Sequence, residues 1–339
     1  MTARSKRILT GGAVLVLVLV MVHVLSQYDL LGRGETQLPD TFKYDDADTR
    51  VIPPELLLYR EVRAVPTGIE KMRDFAVGPK GNWYVAGDGV VRVLDPNGSL
   101  VREFAAGGAP RCIEISDDGE TIVAGVGANV VLFNADGTVR ARWPEIRKGG
   151  VICGIDIDKD SNSIYVAEYI ARRVYRYDLA GKRITVLGEK NPPDYPSGLK
   201  APSATISVIV GRELVWINNP GMLRLEAHSP RGEFQHAWGH ALARDKTDIS
   251  AFPGCCNPVD FALLSGGRFL TVEKGKNFET VKVFQEGGVL EAVVATPDAF
   301  QPGTRPLAVD VAANGQLLVM DPVRRTIRVF QQKESQDTP

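Results

Sequence analysis

From residue 68 onward, apolar and polar positions alternate in short runs broken by glycine, asparagine and aspartate, and one phrase returns about every 40 residues. Its parts are a short apolar strand, a polar turn, a second apolar strand ending in a small or acidic residue, and a third strand before another turn. The clearest copies are DFAVGPKGNWYVAGDGVVRVLDPNG from Asp74, CIEISDDGETIVAGVGANVVLFNADG from Cys112 and GIDIDKDSNSIYVAEYIARRVYRYDLAG from Gly154. A fourth begins near Ser203 and carries ELVWINNPGMLRLEAHSPRG. A fifth runs DFALLSGGRFLTVEKGKNFETVKVFQEGG from Asp260, and a sixth runs AVDVAANGQLLVMDPVRRTIRVF from Ala308.

Short alternating strands with turn residues at fixed places mark all-β structure, and a period near 40 matches one four-stranded propeller blade. Six copies predict an all-β, six-bladed β-propeller. A fourth, outermost strand is expected in each blade, at Leu100–Phe104, Val139–Trp143, Arg183–Leu187, Phe234–Trp238 and Val289–Val293. The sixth copy lacks one, because after Phe330 the chain runs into the polar tail QQKESQDTP. An open sheet edge invites pairing with other chains. The stretch LLLYREVRAV, Leu56 to Val65, has no other evident partner and is assigned as the outer strand of blade six. The propeller is therefore expected over residues 55–330, with residues 331–339 as a polar tail.

Ahead of it, Arg4, Lys6 and Arg7 precede an apolar run from Ile8 to Leu25 in which only His23 is strongly polar. As a helix this run is roughly 27 Å long, close to the thickness of a bilayer core. Residues 1–26 are read as a single N-terminal transmembrane helix, with the cations holding Met1 on the cytoplasmic side. A signal peptide cleaved before Gln27 is the competing reading. Either way the body is expected on the extracytoplasmic, periplasmic side. Residues 27–54, with Asp40, Asp45, Asp46, Asp48 and Pro53-Pro54, read as a linker. With 40 Lys plus Arg against 41 Asp plus Glu, the chain carries a formal charge of −1 and offers no broad field for nucleic acid, which is set aside as a partner.

The end of the second strand and the turn after it resemble the NHL repeat. VMDPVRRTIRVF at 319–330 matches closely, and YVAEYIARRVYRYD at 165–178 matches with Glu168 in place of Asp. Other copies depart, with Gly87, Gly125 and Asn218 where the acidic residue belongs. The loop ISAFPGCCNPVDF also resembles a Gly-Cys-Cys-Asn-Pro signature of membrane-anchored bacterial NHL-type proteins. The resemblance implies a propeller, but it extends to protein-binding platforms, RNA-binding modules and a few enzymes alike, so fold alone names no activity.

Four cysteines are the sharpest chemical feature. Cys112 and Cys153 fall at the starts of the innermost strands of blades two and three, and Cys255 and Cys256 stand just before that of blade five. Innermost strands line the channel, so all four thiols are candidates for one rim. Structural disulfides, among them a Cys112–Cys153 bridge, a redox or thiolate-bound metal site, and buried free thiols are the three readings; no CxxC spacing favours the second. His236 and His240, four apart on a segment read as strand, do not share a face. Glu168, Asn218, Glu273 and Asp321 end second strands near one mouth. In propeller lactonases of similar architecture, residues there bind a divalent cation, which implies Ca²⁺; hydrogen bonding to the adjacent turn is the alternative. Arg172, Arg173, Lys274, Arg324 and Arg325 are candidates for a positive rim. No nucleophile elbow, phosphate loop or dinucleotide fingerprint occurs. The expected function is a membrane-tethered binding or assembly module for an envelope protein or small ligand, with a cysteine-centred redox or metal protein as the alternative.

Overall fold

Apolar runs resolve into the middle strands of a blade, which neighbouring blades bury on both faces, whereas the outermost strands stay largely exposed. In the computed structural model, residues 51–191, 193–241, 248–254, 256–275, 279–301 and 303–334 are described. The expected transmembrane helix at 1–26, nearly all of the linker and Cys255 lie outside them. Among the described residues no helix is long and apolar enough to cross a membrane.

The strands form six four-stranded antiparallel sheets. Blade 1 holds β2 (Met72–Val77), β3 (Trp83–Gly87), β4 (Val90–Leu94) and β5 (Leu100–Ala105). Blade 2 holds β6 (Pro110–Ile115), β7 (Thr121–Val126), β8 (Asn129–Asn134) and β9 (Val139–Arg142). Blade 3 holds β10 (Ile152–Asp158), β11 (Ser163–Glu168), β12 (Arg173–Asp178) and β13 (Arg183–Leu187). Blade 4 holds β14 (Val208–Gly211), β15 (Leu214–Asn219), β16 (Arg224–His228) and β17 (Phe234–Trp238). Blade 5 holds β18 (Asp260–Leu264), β19 (Arg268–Lys274), β20 (Glu279–Gln285) and β21 (Leu290–Ala295).

Blade 6 is built from both ends of the ring. It holds β22 (Val309–Val311), β23 (Leu317–Asp321), β24 (Thr326–Gln332) and, outermost, β1 (Tyr59–Pro66). β1 runs antiparallel to β24 from Tyr59↔Gln332 to Pro66↔Thr326. This is the closure that the missing fourth strand of the last repeat calls for. Glu61 of β1 reinforces it, reaching the guanidinium of Arg328 on β24 at 2.5 Å.

The core is divided among the blade junctions. Trp83 and Val85 pack with Leu318 and Met320 between blades 6 and 1, and Val123 packs with Ile164 and Val166 between blades 2 and 3. Trp216 and Phe269 meet at 4.7 Å between blades 4 and 5. The two ends of the channel differ. At one end the inner strand of each blade turns tightly into the second. At the other, outer strands pass to the next inner strand, and three of these connections are long: 188–207, 239–259 and 296–308. Function concentrates on such loops when a rigid scaffold carries them.

Candidate functional site

Three successive inner strands begin with the same irregularity. Register slips between Met72 and Asp74, between Pro110 and Cys112, and between Ile152 and Gly154. The bulged residues are Arg73, Arg111 and Cys153, and all three line a single cavity of about 420 Å³. A bulge adds a residue without a cross-strand partner and re-aims its side chain. Here it aims them into the mouth at the long-loop end of the channel. Lys274 at the end of β19 and Arg305 from the 296–308 connection join them, as do Ser203 and Thr205 from the connection before β14. Gly154 admits this crowding, since a β-carbon there would lie 2.6 Å from the Ile206 carbonyl oxygen.

Besides Asp158 at the end of β10, the inner strands hold five carboxyls, Asp74, Glu114, Asp156, Asp260 and Asp310, one from each blade except the fourth. Four of them, all but Asp156, line the same cavity. The aspartates staple each inner strand to the next. Asp74 accepts the Ile113 N–H at 2.9 Å, Asp260 that of Val309 at 2.9 Å and Asp310 that of Val77 at 2.8 Å; Asp156 accepts that of Val210. Ser207 Oγ donates to Asp260 at 2.5 Å. Burial pushes all five up. Asp156 and Asp310 reach about 7 and Asp260 about 6, each held back by those hydrogen bonds. Asp74 and Glu114 rise well above the usual range, burial being reinforced by the facing Asp260 and Asp156 respectively. Carboxyls brought together away from water resist ionising together. The belt was present in the repeats as an acid near the start of five of the six, in DFAV, IEIS, DIDK, DFAL and VDVA.

The residues singled out from sequence fall in other places. Cys112 is buried in the apolar junction of blades 2 and 3. Cys153 stands at the cavity wall, its thiol donating to the Ile206 carbonyl at 3.3 Å and pushed up to about 12 by burial. Both carry free thiols, so the Cys112–Cys153 bridge allowed by the sequence is not formed. Cys256 is buried. Among the described residues, no group of three or more His, Cys, Asp or Glu side chains is placed to hold a metal ion.

Glu168 is fully buried and accepts the backbone N–H groups of Val151, Ile170 and Ala171 at 2.8, 2.9 and 2.5 Å. Asp321 accepts that of Arg324 at 3.0 Å. Glu273 is paired with Lys282 at 2.7 Å inside blade 5. These carboxylates organise turns and packing, and none lines the cavity. In blade 4 the equivalent position is Asn219 rather than Asn218: Asn219 pairs with Arg224 as Glu168 pairs with Arg173 and Asp321 with Thr326. Asn218 instead bridges the Thr205 and Pro258 carbonyls. Of the cations expected at a rim, Lys274 lines the cavity; Arg172, Arg173, Arg324 and Arg325 do not. Arg173 pairs with Glu189, Arg325 with Glu70 and Arg324 with Asp321. His236 and His240 turn to separate acids, Glu286 at 3.1 Å and Asp248 at 2.7 Å.

A second polar cluster fastens the 188–207 connection. Glu226 on β16 is buried and takes hydrogen bonds from Tyr195 at 2.5 Å, Arg224 at 2.7 Å and Asn219 at 2.8 Å, with His228 at 3.3 Å. Burial alone pushes a carboxyl up, yet these donors together hold Glu226 below its ordinary value. Tyr195 is thereby fixed against blade 4 at the edge of the cavity-bearing end.

The fold and site define a six-bladed β-propeller with a charged cavity at one channel mouth. Among solved structures it is similar to virginiamycin B lyase from Staphylococcus aureus, with a TM-score of 0.54 at 12% identity over 81% of this chain and 100% of that one. A streptogramin B lyase gives 0.55 at 13% identity over 84% and 91%. A protein of unknown function from Bacteroides thetaiotaomicron gives 0.56 at 14% over 81% and 72%. At these identities the likeness is one of fold. No protein-family description matches the sequence, and no curated protein is similar to it.

Proposed function

We propose that this chain is a membrane-tethered, extracytoplasmic propeller that binds a small ligand in the mouth of its channel. The observation that carries the binding site is the cavity of about 420 Å³ into which three consecutive bulges direct Arg73, Arg111 and Cys153. A concave site with convergent polar groups on an apolar wall is what small-molecule recognition uses. The tether rests on the cations and apolar run of residues 4–25, and the Gly-Cys-Cys-Asn-Pro loop and NHL-like turns support placing the chain with anchored NHL-type propellers.

A cysteine-centred redox site is supported less well. Cys153 is the one described cysteine that lines the cavity, and its raised thiol is a weak nucleophile. The lyase activities named for the similar structures belong to those proteins. A melting-temperature screen of the full chain against a small-molecule library tests the reading, with Ala204→Trp filling the cavity as the control. Hits are expected to stabilise the native chain and to be lost in the tryptophan variant. Hits that persist in it, or a library with none, would sink the proposal.

A further inference from the structure

Arg73 and Arg111 make no hydrogen bond or ion pair with any described residue, although both line the cavity. Arg92, Arg173, Arg212 and Arg268, by contrast, each pair with a carboxylate. The cavity's own carboxyls do not serve: the aspartates are spent on backbone N–H groups of the next blade, and Glu114 on that of Ile115. Two guanidiniums directed by bulges into a concave site, with nothing paired to them, present donors in the fork geometry that suits carboxylate, sulfonate or phosphate oxygens. Lys274 and Arg305 add charge from the far side, and Ile155, Val208 and Leu307 supply an apolar wall.

We infer that the ligand is a small organic anion with an apolar body, and that the protein takes up protons onto its carboxyl belt as the anion binds. This rests on the channel-mouth reading above and specifies its ligand. The charged and titratable groups concerned are Arg73 and Asp74 from β2, Arg111 and Glu114 from β6, Cys153 and Asp156 from β10, Asp260 and Lys274 from blade 5, and Arg305 and Asp310 from blade 6. Asp158 adds to the raising of Asp156, and Asp74 to that of Cys112. Among the described residues, blade 4 adds hydroxyls and no charge to the lining. An anion among these groups repels ionised carboxylates and favours the protonated belt. Because burial raises Asp156 and Asp310 to about 7 and Asp260 to about 6, anion affinity rises as pH falls through that range.

The test uses the full chain and benzenesulfonate, whose charge is constant across neutral pH, with methyl phenyl sulfone as its uncharged counterpart. By calorimetry, the sulfonate is expected to bind and the sulfone to bind at least about tenfold more weakly, the scale of losing a charge-assisted contact. Arg73→Gln with Arg111→Gln is expected to weaken sulfonate binding about tenfold or more. Arg73→Lys with Arg111→Lys retains most of it, and Arg172→Gln leaves it unchanged. Wild-type affinity is expected to be several-fold higher at pH 6 than at pH 8.5, with net proton uptake in buffers of different ionisation enthalpy.

Equal affinity for sulfone and sulfonate, both lost in Ala204→Trp, would reject the anion and keep the channel-mouth site. Sulfonate binding that survives both the arginine pair and Ala204→Trp would reject both. No binding of either compound would reject the anion, and the library screen would still judge the site. A pH-independent affinity would reject the proton coupling. Native circular dichroism of each variant separates loss of binding from loss of fold.

Discussion

At Gly125 a β-carbon would sit 2.5 Å from Cys112 Sγ and 2.6 Å from Ile152 Cγ2, and at Gly87 one would sit 2.5 Å from the Lys71 carbonyl oxygen. Gly87, opposite Met72 before the bulge, holds the place that Glu168 fills opposite Ile152, whereas Gly125 lies opposite Cys112 past its bulge, where blade 3 has Ala167. At Gly87 the space of the missing side chain is filled by the chain entering β2, and Asp88 takes over, accepting the N–H groups of Glu70 and Lys71 at 2.6 and 3.1 Å, while at Gly125 it is filled by Cys112 and by Ile152 of the next blade. The departures from the repeat are therefore packing solutions. The belt acids make the opposite case, since they keep a polar group where burial opposes its charge. Their linkage has a definite sign. Below about pH 4 they are protonated in both folded and unfolded chains; between about pH 4 and about 7 the unfolded chain ionises while the folded belt keeps its protons. Stability is thus fully present at the acid end of this window and falls as pH rises through it. Thermal melts are expected to show a higher midpoint at pH 5 than at pH 8, with a smaller difference in Asp310→Asn. A midpoint that rises from pH 5 to 8 would contradict the buried belt.

Among the elements, β1 is the one whose role depends on a partner far along the chain. Arg328 is almost wholly buried, and its compensation comes from Glu61 across the closure, Asp321 at 3.7 Å and the Ala299 carbonyl at 2.8 Å. Removing one partner of a buried cation leaves its desolvation uncompensated. Glu61 is itself partly exposed, so the loss is tempered by solvent, and Glu61→Ala is expected to cost about 1–3 kcal/mol. Urea unfolding followed by fluorescence reads this directly. A change below about 0.5 kcal/mol, the ordinary range for a surface substitution, would mean that the closure does not depend on the pair. The bulges opening β2, β6 and β10 are element-scale devices of another kind. Each displaces one residue out of the ladder, and the three displaced residues converge only because their blades are consecutive around the ring.

For the whole molecule, the asymmetry between short turns at one end of the channel and long connections at the other sets where the cavity opens. In a bacterial host, the full chain is expected to sediment with membranes and to be digested by protease added outside the inner membrane. Deleting residues 1–26 is expected to leave the propeller in the soluble cytoplasmic fraction. A full chain protected from external protease until the inner membrane is broken would place it on the other side.

The repeat period, the alternation within each copy and the missing strand of the last copy determined the six blades and their closure, because each depends only on local spacing and on the need to cover a sheet edge. The turn acids were visible as well, and so was the possibility that they merely cap turns. The belt of Asp74, Glu114, Asp156, Asp260 and Asp310 was written in the repeats, but its meaning lay in closure of the ring, which sets five carboxyls around one channel and raises them by burial. Arg73 and Arg111 carried no sequence signal, since a bulge is a slip of register between strands and appears only once the partner strand is in place. Cys112 and Cys153 do not share one rim for the same reason. Their positions are similar along the inner strands, but the bulges send Cys153 to the cavity, while Cys112 sits past its own bulge in the packed junction of two blades.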